Sequence, residues 1–235
     1  MTTPTIVIEV REDIERLRPM VTHVAHVDDV FWQVEAIIEQ NPALHGDDVF
    51  RNWLGYCYTD SIVIGMRRLV DKRRDVASLV RALQKVKTHA SDFRRDWFVG
   101  MSSEFLRAEA HGWFTEIVGG QHPRLPPERV QEWLDYLTTT AQQVEQFAND
   151  HVAHVALHAI GAPPTFRDVR SALVAAFRTL QWLIRLTSGA VLMTVVPVIP
   201  SNWLQPLRVA WLADQVAPAY EHLDDLVKTD QTAPL

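Results

Sequence analysis

The stretch ERVQEWLDYLTTTAQQVEQFANDHVAHVALHAIGAPPTFRDV, residues 128–169, determines the fold that the sequence predicts. Its apolar residues recur every three or four positions, which is the period of an amphipathic α-helix. A Pro-Pro pair precedes this helix and Gly161 follows it, and both are typical of helix ends. Thr165 is then expected to cap a second helix over residues 166–188. Two long amphipathic helices joined by a short turn indicate a helical bundle.

Most of the remaining chain has the same periodicity. Further helices are expected over residues 11–40, 49–71, 76–90, 93–118 and 203–227. Asp75 is expected to cap the helix that follows it, and Gly100 and Gly112 are expected to divide the fourth of these segments into pieces. Residues 5–10, TIVIEV, have the composition of one short strand, although no later segment offers an obvious partner strand.

The domain organisation that these segments predict is simple. No linker of consequence divides the chain, so the prediction is an all-α fold, a single-domain antiparallel helical bundle over residues 11–228. An extended N-terminal segment, residues 1–10, precedes the bundle. A frayed tail, residues 229–235, follows it.

Composition restricts the class of protein and its compartment. With 47% apolar residues in a chain of 235, the protein can bury a substantial core. The formal charge of −6 argues against broad electrostatic attachment to nucleic acid but leaves room for a local basic patch. Cys57 is the only cysteine, so a reducing compartment is expected, most simply the cytoplasm. The most apolar run, residues 189–200, is too short to span a bilayer, so no membrane segment is expected.

Three histidines, His151, His154 and His158, lie close together near the end of the long predicted helix. At about 100° per residue, they fall within roughly 60° of arc on that helix, and Asp150 lies near the same face. Three interpretations are open. The imidazoles are core-edge groups that bond to their neighbours, or they bind a metal, or they belong to an RNA-directed active site.

The metal interpretation pairs His154 with His158, one helical turn apart, and takes a third ligand such as His26, because HVAHV occurs at 23–27 and again at 151–155. Neutral imidazoles suit Zn²⁺ or Ni²⁺. VTHVAHVDDVFW and HVALHAIGAPP also resemble the two His-bearing segments of DinB-like four-helix bundles, which bind a metal through three histidines. That resemblance implies a three-histidine site for zinc or nickel.

Three segments, taken in order, carry a second resemblance that spans residues 31–212. WLGYCYTDSIVIGMRRLVDKRRDVASLVRALQKV contains an Arg-Leu-x-Asp and a Val-x-Ser-Leu. In the second segment, FANDHVAHVALHAIGAPPTFRDVRSAL, a long predicted helix ends in a polar run with His-x-Ala-His, and a Pro/Thr-capped helix follows. The third segment, PVIPSNWLQPLRVAWL, is the Trp-containing end of the match. Together these segments resemble the abortive-infection-type branch of the HEPN superfamily. The resemblance implies a HEPN-type bundle with extra N-terminal and C-terminal helices, a homodimer, and a prokaryotic defence or toxin–antitoxin system that acts on RNA.

The resemblance also implies particular site residues. HEPN ribonucleases pair an arginine with a histidine a few residues later and need no metal, so no cofactor is implied. The motif histidine, for proton transfer, would be His154, with His151 beside it. The arginine, which offsets phosphate charge, would stand within residues 147–149, but this window reads Phe-Ala-Asn. Asn149 replaces a bidentate guanidinium only in part.

Four arginines are candidate contacts to nucleic acid: Arg67 and Arg68 near the end of one predicted helix, and Arg167 and Arg170 at the start of another. The structural alternative for the first pair is a solvated helix end in which Arg68 pairs with Asp71. The predicted function is therefore an RNA-directed, HEPN-like protein that is a degenerate or weak ribonuclease and serves binding or assembly. Whether it is an enzyme stays open, and the alternatives are the metal-binding bundle and a plain interaction module.

Overall fold

A computed structural model of the chain describes residues 2–40, 48–152, 163–194 and 196–197. Within them lie seven α-helices and no β-strand, which confirms the all-α class for this part of the chain. The helices are α1 (Thr5–Gln40), α2 (Asp48–Val70), α3 (Leu79–Thr88), α4 (Arg95–Gly100), α5 (Arg107–Val118), α6 (Pro127–Phe147) and α7 (Phe166–Ser188). All described residues belong to one compact unit, Met1–Pro197. None of these seven helices combines the length and apolarity that a membrane crossing requires.

The structure tests some of the predicted boundaries and not others. The break at Gly100 is confirmed because α4 ends there, whereas the break at Gly112 is wrong because that residue lies within α5. The predicted domain end at residue 228, the tail over 229–235 and the helix over 203–227 lie outside the described residues and stay predictions.

Helices α1, α2, α6 and α7 pack in a ring, in which each helix contacts the next and α7 returns to α1. α1 and α2 run antiparallel. Phe31 stacks on Tyr58 with 4.0 Å between ring centroids, while Gly65, later on α2, approaches Val24, earlier on α1. α3 packs on α1 and α6, and the short α4 and α5 pack on each other and on α7.

The helix α7 runs antiparallel to both of its neighbours in the ring. The Trp133 ring near the start of α6 lies 5.5 Å from the Trp182 ring near the end of α7. The Nε of Arg11, early on α1, donates a hydrogen bond of 3.0 Å to the carbonyl of Thr187, in the last turn of α7. The apolar stripes of the four helices therefore face a shared core.

The predicted extended segment over residues 1–10, with its strand over 5–10, is wrong because α1 already begins at Thr5. Ile6 and Val10 lie one helical turn apart and are both buried. β-Branched residues favour strands only weakly and in context. Here the burial of one helical face against the rest of the bundle determines the conformation.

The helix starts test the predicted caps. Thr165 caps α7 as predicted, since its hydroxyl accepts a hydrogen bond of 3.2 Å from the backbone N–H of Asp168. The Asp168 carboxylate accepts one of 2.8 Å from the backbone N–H of Thr165, which completes a capping box. The predicted cap at Asp75 is wrong. Ser78 caps α3 instead, through a 3.1 Å hydrogen bond from the N–H of Arg81 to its hydroxyl.

The long helix predicted over residues 128–160 changes character before its end. α6 stops at Phe147, and a π-helical segment, Ala148–Val152, continues from it. Such segments are rare and occur frequently at functional sites. Residues 153–162 lie outside the described part of the chain, so the predicted helix stop at Gly161 stays a prediction.

Candidate functional site

The π-helical segment opens with two residues in different environments. Ala148 is fully buried and belongs to the hydrophobic core. Asn149 is half-buried, and its side chain meets α2. Because a packed interior does not accommodate a much larger side chain without strain, position 148 has no room for an arginine.

Arg67, in the last turn of α2, holds the Asn149 side chain. Its Nε donates a hydrogen bond of 2.6 Å to Asn149 Oδ1. Just beyond α2, the Nζ of Lys72 lies 3.4 Å from Oε2 of Glu145, one turn earlier on α6. The earlier residue on the α2 side meets the later residue on the α6 side, so the two contacts show that these segments run antiparallel. The Arg67 side chain is therefore anchored at a defined place.

This hydrogen bond brings a guanidinium to the window in which the sequence has no positive charge. Arg67 precedes Asn149 by 82 residues, so spacing along the chain gives no indication that they meet. Among the described residues, Arg67 makes no further hydrogen bond or ion pair, and its terminal nitrogens stay available as donors. A half-buried guanidinium with free N–H groups is suited to a phosphate oxygen.

The neighbouring Arg68 is exposed, and the predicted pair between Arg68 and Asp71 is wrong for the described structure. α2 ends at Val70, and Asp71 beyond it pairs with Arg73 at 3.0 Å. Desolvation acts to raise the pKa of Asp71, but hydrogen bonds from Arg73 and the charges of Arg73 and Arg67 outweigh it and lower that pKa. Asp71 is therefore a carboxylate that offsets part of the charge of Arg67.

Arg170, in α7, is held by α1. Its Nε lies 3.3 Å from Oδ2 of Asp28, and its guanidinium lies 5.3 Å from the centre of the Trp32 ring. Asp28 also accepts a 2.7 Å hydrogen bond from the hydroxyl of Tyr58, and burial together with this hydrogen bond raises the pKa of Tyr58. These contacts favour a structural role for Arg170. Arg167, by contrast, is exposed and has no partner among the described residues.

A cavity of about 780 Å³ lies between α1, α6 and α7. Arg167 and Arg170 line it together with Trp32 and Tyr136. Arg67 instead belongs to the contact between α2 and the end of α6. The four arginines predicted to bind nucleic acid therefore lie at two separate places. Arg67 and Arg68 are at the end of α2, and Arg167 and Arg170 are at the cavity.

The candidate histidines are described only in part. His151 lies within the π-helical segment but its side chain is not described, and His154 and His158 lie outside the described residues. The shared face of the three histidines was predicted for one regular α-helix. That premise is wrong at residue 151, which is π-helical. His26 in α1 is half-buried, and its Nδ1 atom has no hydrogen-bond partner among the described residues. Over that same part of the chain, no group of three or more His, Cys, Asp or Glu side chains is arranged to hold a metal ion.

Comparison of the chain with protein family models, with curated proteins and with solved structures gives no match.

Proposed function

We propose that the chain is a HEPN-like helical protein of a prokaryotic defence or toxin–antitoxin type. In this proposal it binds RNA and cleaves it only weakly without a metal, so that binding or assembly is its main role. One observation carries the proposal. Arg67 places a guanidinium at Asn149, in the window where the resemblance implies an arginine and the sequence has none.

The chemistry follows from the donors at this place. Arg67 would offset the charge of a phosphate, and His154 would transfer protons during attack by a ribose 2′-hydroxyl. The guanidinium is less effective than one that faces the phosphate alone, because Asn149 engages its Nε and Asp71 offsets its charge. Loss of one such electrostatic stabiliser typically lowers a rate by about 10²–10³-fold, which is the reason to expect weak cleavage.

An exposed face of α2 supports the proposed homodimer. Val49, Trp53 and Tyr56 share one side of the helix and are 81%, 58% and 72% exposed. Contiguous large apolar groups at a surface mark interaction sites. We expect one oligomer larger than a monomer in light scattering after size-exclusion chromatography, and a monomer for Trp53→Glu. Phe105→Glu, at a residue that is 88% exposed elsewhere, is the matched control and is expected to leave the oligomer intact.

The proposed function is tested by incubating the pure protein with tRNA and mRNA in EDTA, with RNA binding measured in parallel. We expect binding and slow cleavage, and we expect His154→Ala to abolish the cleavage while RNA still binds. His111→Ala changes an exposed histidine in α5 and is expected to have no effect. The absence of both binding and cleavage would contradict the proposal, as would cleavage that His154→Ala does not change.

The metal-binding bundle is a second candidate, and His26 is the observation that favours it. A buried imidazole nitrogen without a partner costs free energy, and a metal ion is one way to satisfy it. In this candidate His26, His154 and His158 would bind zinc or nickel. Metal analysis of protein purified without a His-tag decides the matter. A stoichiometric metal that His26→Ala removes would favour this candidate, and substoichiometric zinc and nickel would exclude it.

A further inference from the structure

A second polar cavity lies between α5, α6 and α7, away from the contact between Arg67 and Asn149. Its volume is about 380 Å³, and its polar lining residues are Glu116, Arg129, Trp133, Arg178, Gln181 and Arg185. A smaller cavity of about 290 Å³ shares Arg129, Trp133 and Arg178 with it. Trp133 lies in the second turn of α6, whereas Asn149 lies beyond the other end of that helix. The two places are therefore separate.

Trp133 lines this groove and packs against a second tryptophan of the bundle. Its indole nitrogen Nε1 is inaccessible to solvent and has no hydrogen-bond partner among the described residues. Trp182, which packs against it with 5.5 Å between ring centroids, donates its own indole N–H to the carbonyl of Ile117 at 3.2 Å. A nitrogen that solvent does not reach is also out of reach of a ligand in the groove, so Trp133 contributes its ring to the lining and no hydrogen bond to a ligand.

Three arginines line the same groove, and they differ in how they are held. Arg129 pairs with Glu132 at 2.5 Å, and Arg185 pairs with Glu116 at 2.5 Å, both through exposed carboxylates at the edge of the groove. Each of these arginines is thereby fixed in place while some of its N–H groups stay free. Arg178 is exposed and has no partner in the part of the chain that the structure describes.

This set of donors selects the class of ligand. One arginine satisfies a carboxylate through its two oxygens, whereas three guanidiniums offer more donors than a carboxylate accepts. A phosphate group, with three terminal oxygens, fits better. The cavity volume lies in the range of small-molecule sites, and the apolar side chains of Ile117, Val191 and Leu192 supply a wall against which a flat ring can lie.

We propose that the groove lined by Trp133, Arg129, Arg178 and Arg185 binds the phosphate of a nucleotide. The phosphate accepts hydrogen bonds from Arg178 and from the N–H groups that Arg129 and Arg185 keep free beside their carboxylate pairs. The same chemistry has two sources, a free nucleoside monophosphate or a terminal phosphate on an RNA strand. Neither source requires the contact between Arg67 and Asn149 to act on RNA.

Isothermal titration calorimetry of the full chain tests this site with three probes: inorganic phosphate, AMP, and a short single-stranded RNA with a 5′-phosphate. We expect saturable binding of AMP that is tighter than that of inorganic phosphate. Arg178→Gln is expected to weaken it about tenfold, because a charged donor is lost. Trp133→Phe keeps an aromatic ring and is expected to bind AMP as the wild type does, because the buried indole nitrogen does not reach the ligand. Arg107→Gln changes an exposed arginine at the start of α5 and is the control, expected to bind as the wild type does.

The outcomes separate the two sources and separate this site from the proposed function. Binding of the RNA but not of AMP, with loss in Arg178→Gln, supports the site and assigns the phosphate to a strand. AMP binding that Arg178→Gln removes while RNA cleavage in EDTA is unchanged supports two independent sites. The proposal is overturned if none of the three probes binds saturably, or if Arg178→Gln binds as tightly as the wild type.

Discussion

The Nε of Arg67 donates a 2.6 Å hydrogen bond to Oδ1 of Asn149, and this contact joins the last turn of α2 to the π-helical segment that follows α6. It gives the half-buried guanidinium a fixed acceptor. It also explains why an asparagine suits position 149. A second arginine there would place two like charges in contact.

Replacement of Asn149 by leucine should lower the stability of the fold. The variant leaves the guanidinium of Arg67 half-buried without its acceptor, so we expect the free energy of unfolding to fall by about 1–2 kcal/mol in urea titrations. Gln146→Leu changes an exposed residue of α6 and is expected to change it by less than about 0.5 kcal/mol. Equal effects of the two variants would show that the contact contributes nothing specific.

Two glycines of α2 should respond in opposite directions to alanine. A Cβ at Gly65 would lie 2.2 Å from Cγ1 of Val24 in α1, so we expect Gly65→Ala to destabilise the protein by about 1–3 kcal/mol. A Cβ at Gly55 would meet nothing within 4 Å, so Gly55→Ala should stabilise it by about 0.5–1 kcal/mol through helix propensity. Chemical denaturation measures both. A neutral or stabilising Gly65→Ala would contradict the close approach of α1 and α2.

The capping box of α7 should make stability depend on pH in acid. Hydrogen bonds from the Thr165 hydroxyl and backbone N–H lower the pKa of Asp168 from 3.8. A carboxylate whose pKa is lower when folded stabilises the protein above its unfolded pKa, and this contribution is lost as the pH falls through the folded pKa. We therefore expect the difference in thermal midpoint between wild type and Asp168→Ala to be largest near neutral pH and to shrink below about pH 3.8.

The partner residue supplies the control for that prediction. Thr165→Val removes the hydroxyl that hydrogen-bonds to Asp168. The double variant Thr165→Val/Asp168→Ala should therefore lower the thermal midpoint by less than the sum of the two single variants. Additive effects, or a difference in midpoint that is constant with pH, would show that the box does not cause the shift.

Local signals in the sequence were sufficient for part of this fold. The helix over residues 166–188 and its cap at Thr165 agree with the structure residue for residue, because the capping threonine and the helical periodicity are both local signals. Residues 5–10 show the opposite case. Their β-branched composition favours a strand, and only their burial against the bundle makes them helical.

The candidate site shows a different limit. The basic pair at the end of α2 and the polar run after Phe147 were both visible in the sequence, but not their contact. Arg67 and Asn149 meet because α2 and α6 pack side by side, and side-chain contacts between distant segments depend on that packing and not on local pattern. The π-helical segment was not predicted either, because its sequence reads as regular α-helix.

The most direct test of the central claim exchanges the two residues. RNA affinity at fixed low salt and cleavage in EDTA are measured for wild type, for Arg67→Asn and for the double variant Arg67→Asn/Asn149→Arg. The control is Arg74→Asn, which changes an exposed arginine just beyond the end of α2. All four proteins are first shown to be folded at the assay temperature. We expect Arg67→Asn to bind RNA about tenfold more weakly, since it loses a charged donor. The double variant should recover the affinity and cleave faster, because its guanidinium then stands in the 147–149 window that the resemblance assigns to the arginine. Arg74→Asn should bind as the wild type does. RNA affinity that Arg67→Asn leaves unchanged, or a double variant no better than Arg67→Asn, would contradict the account.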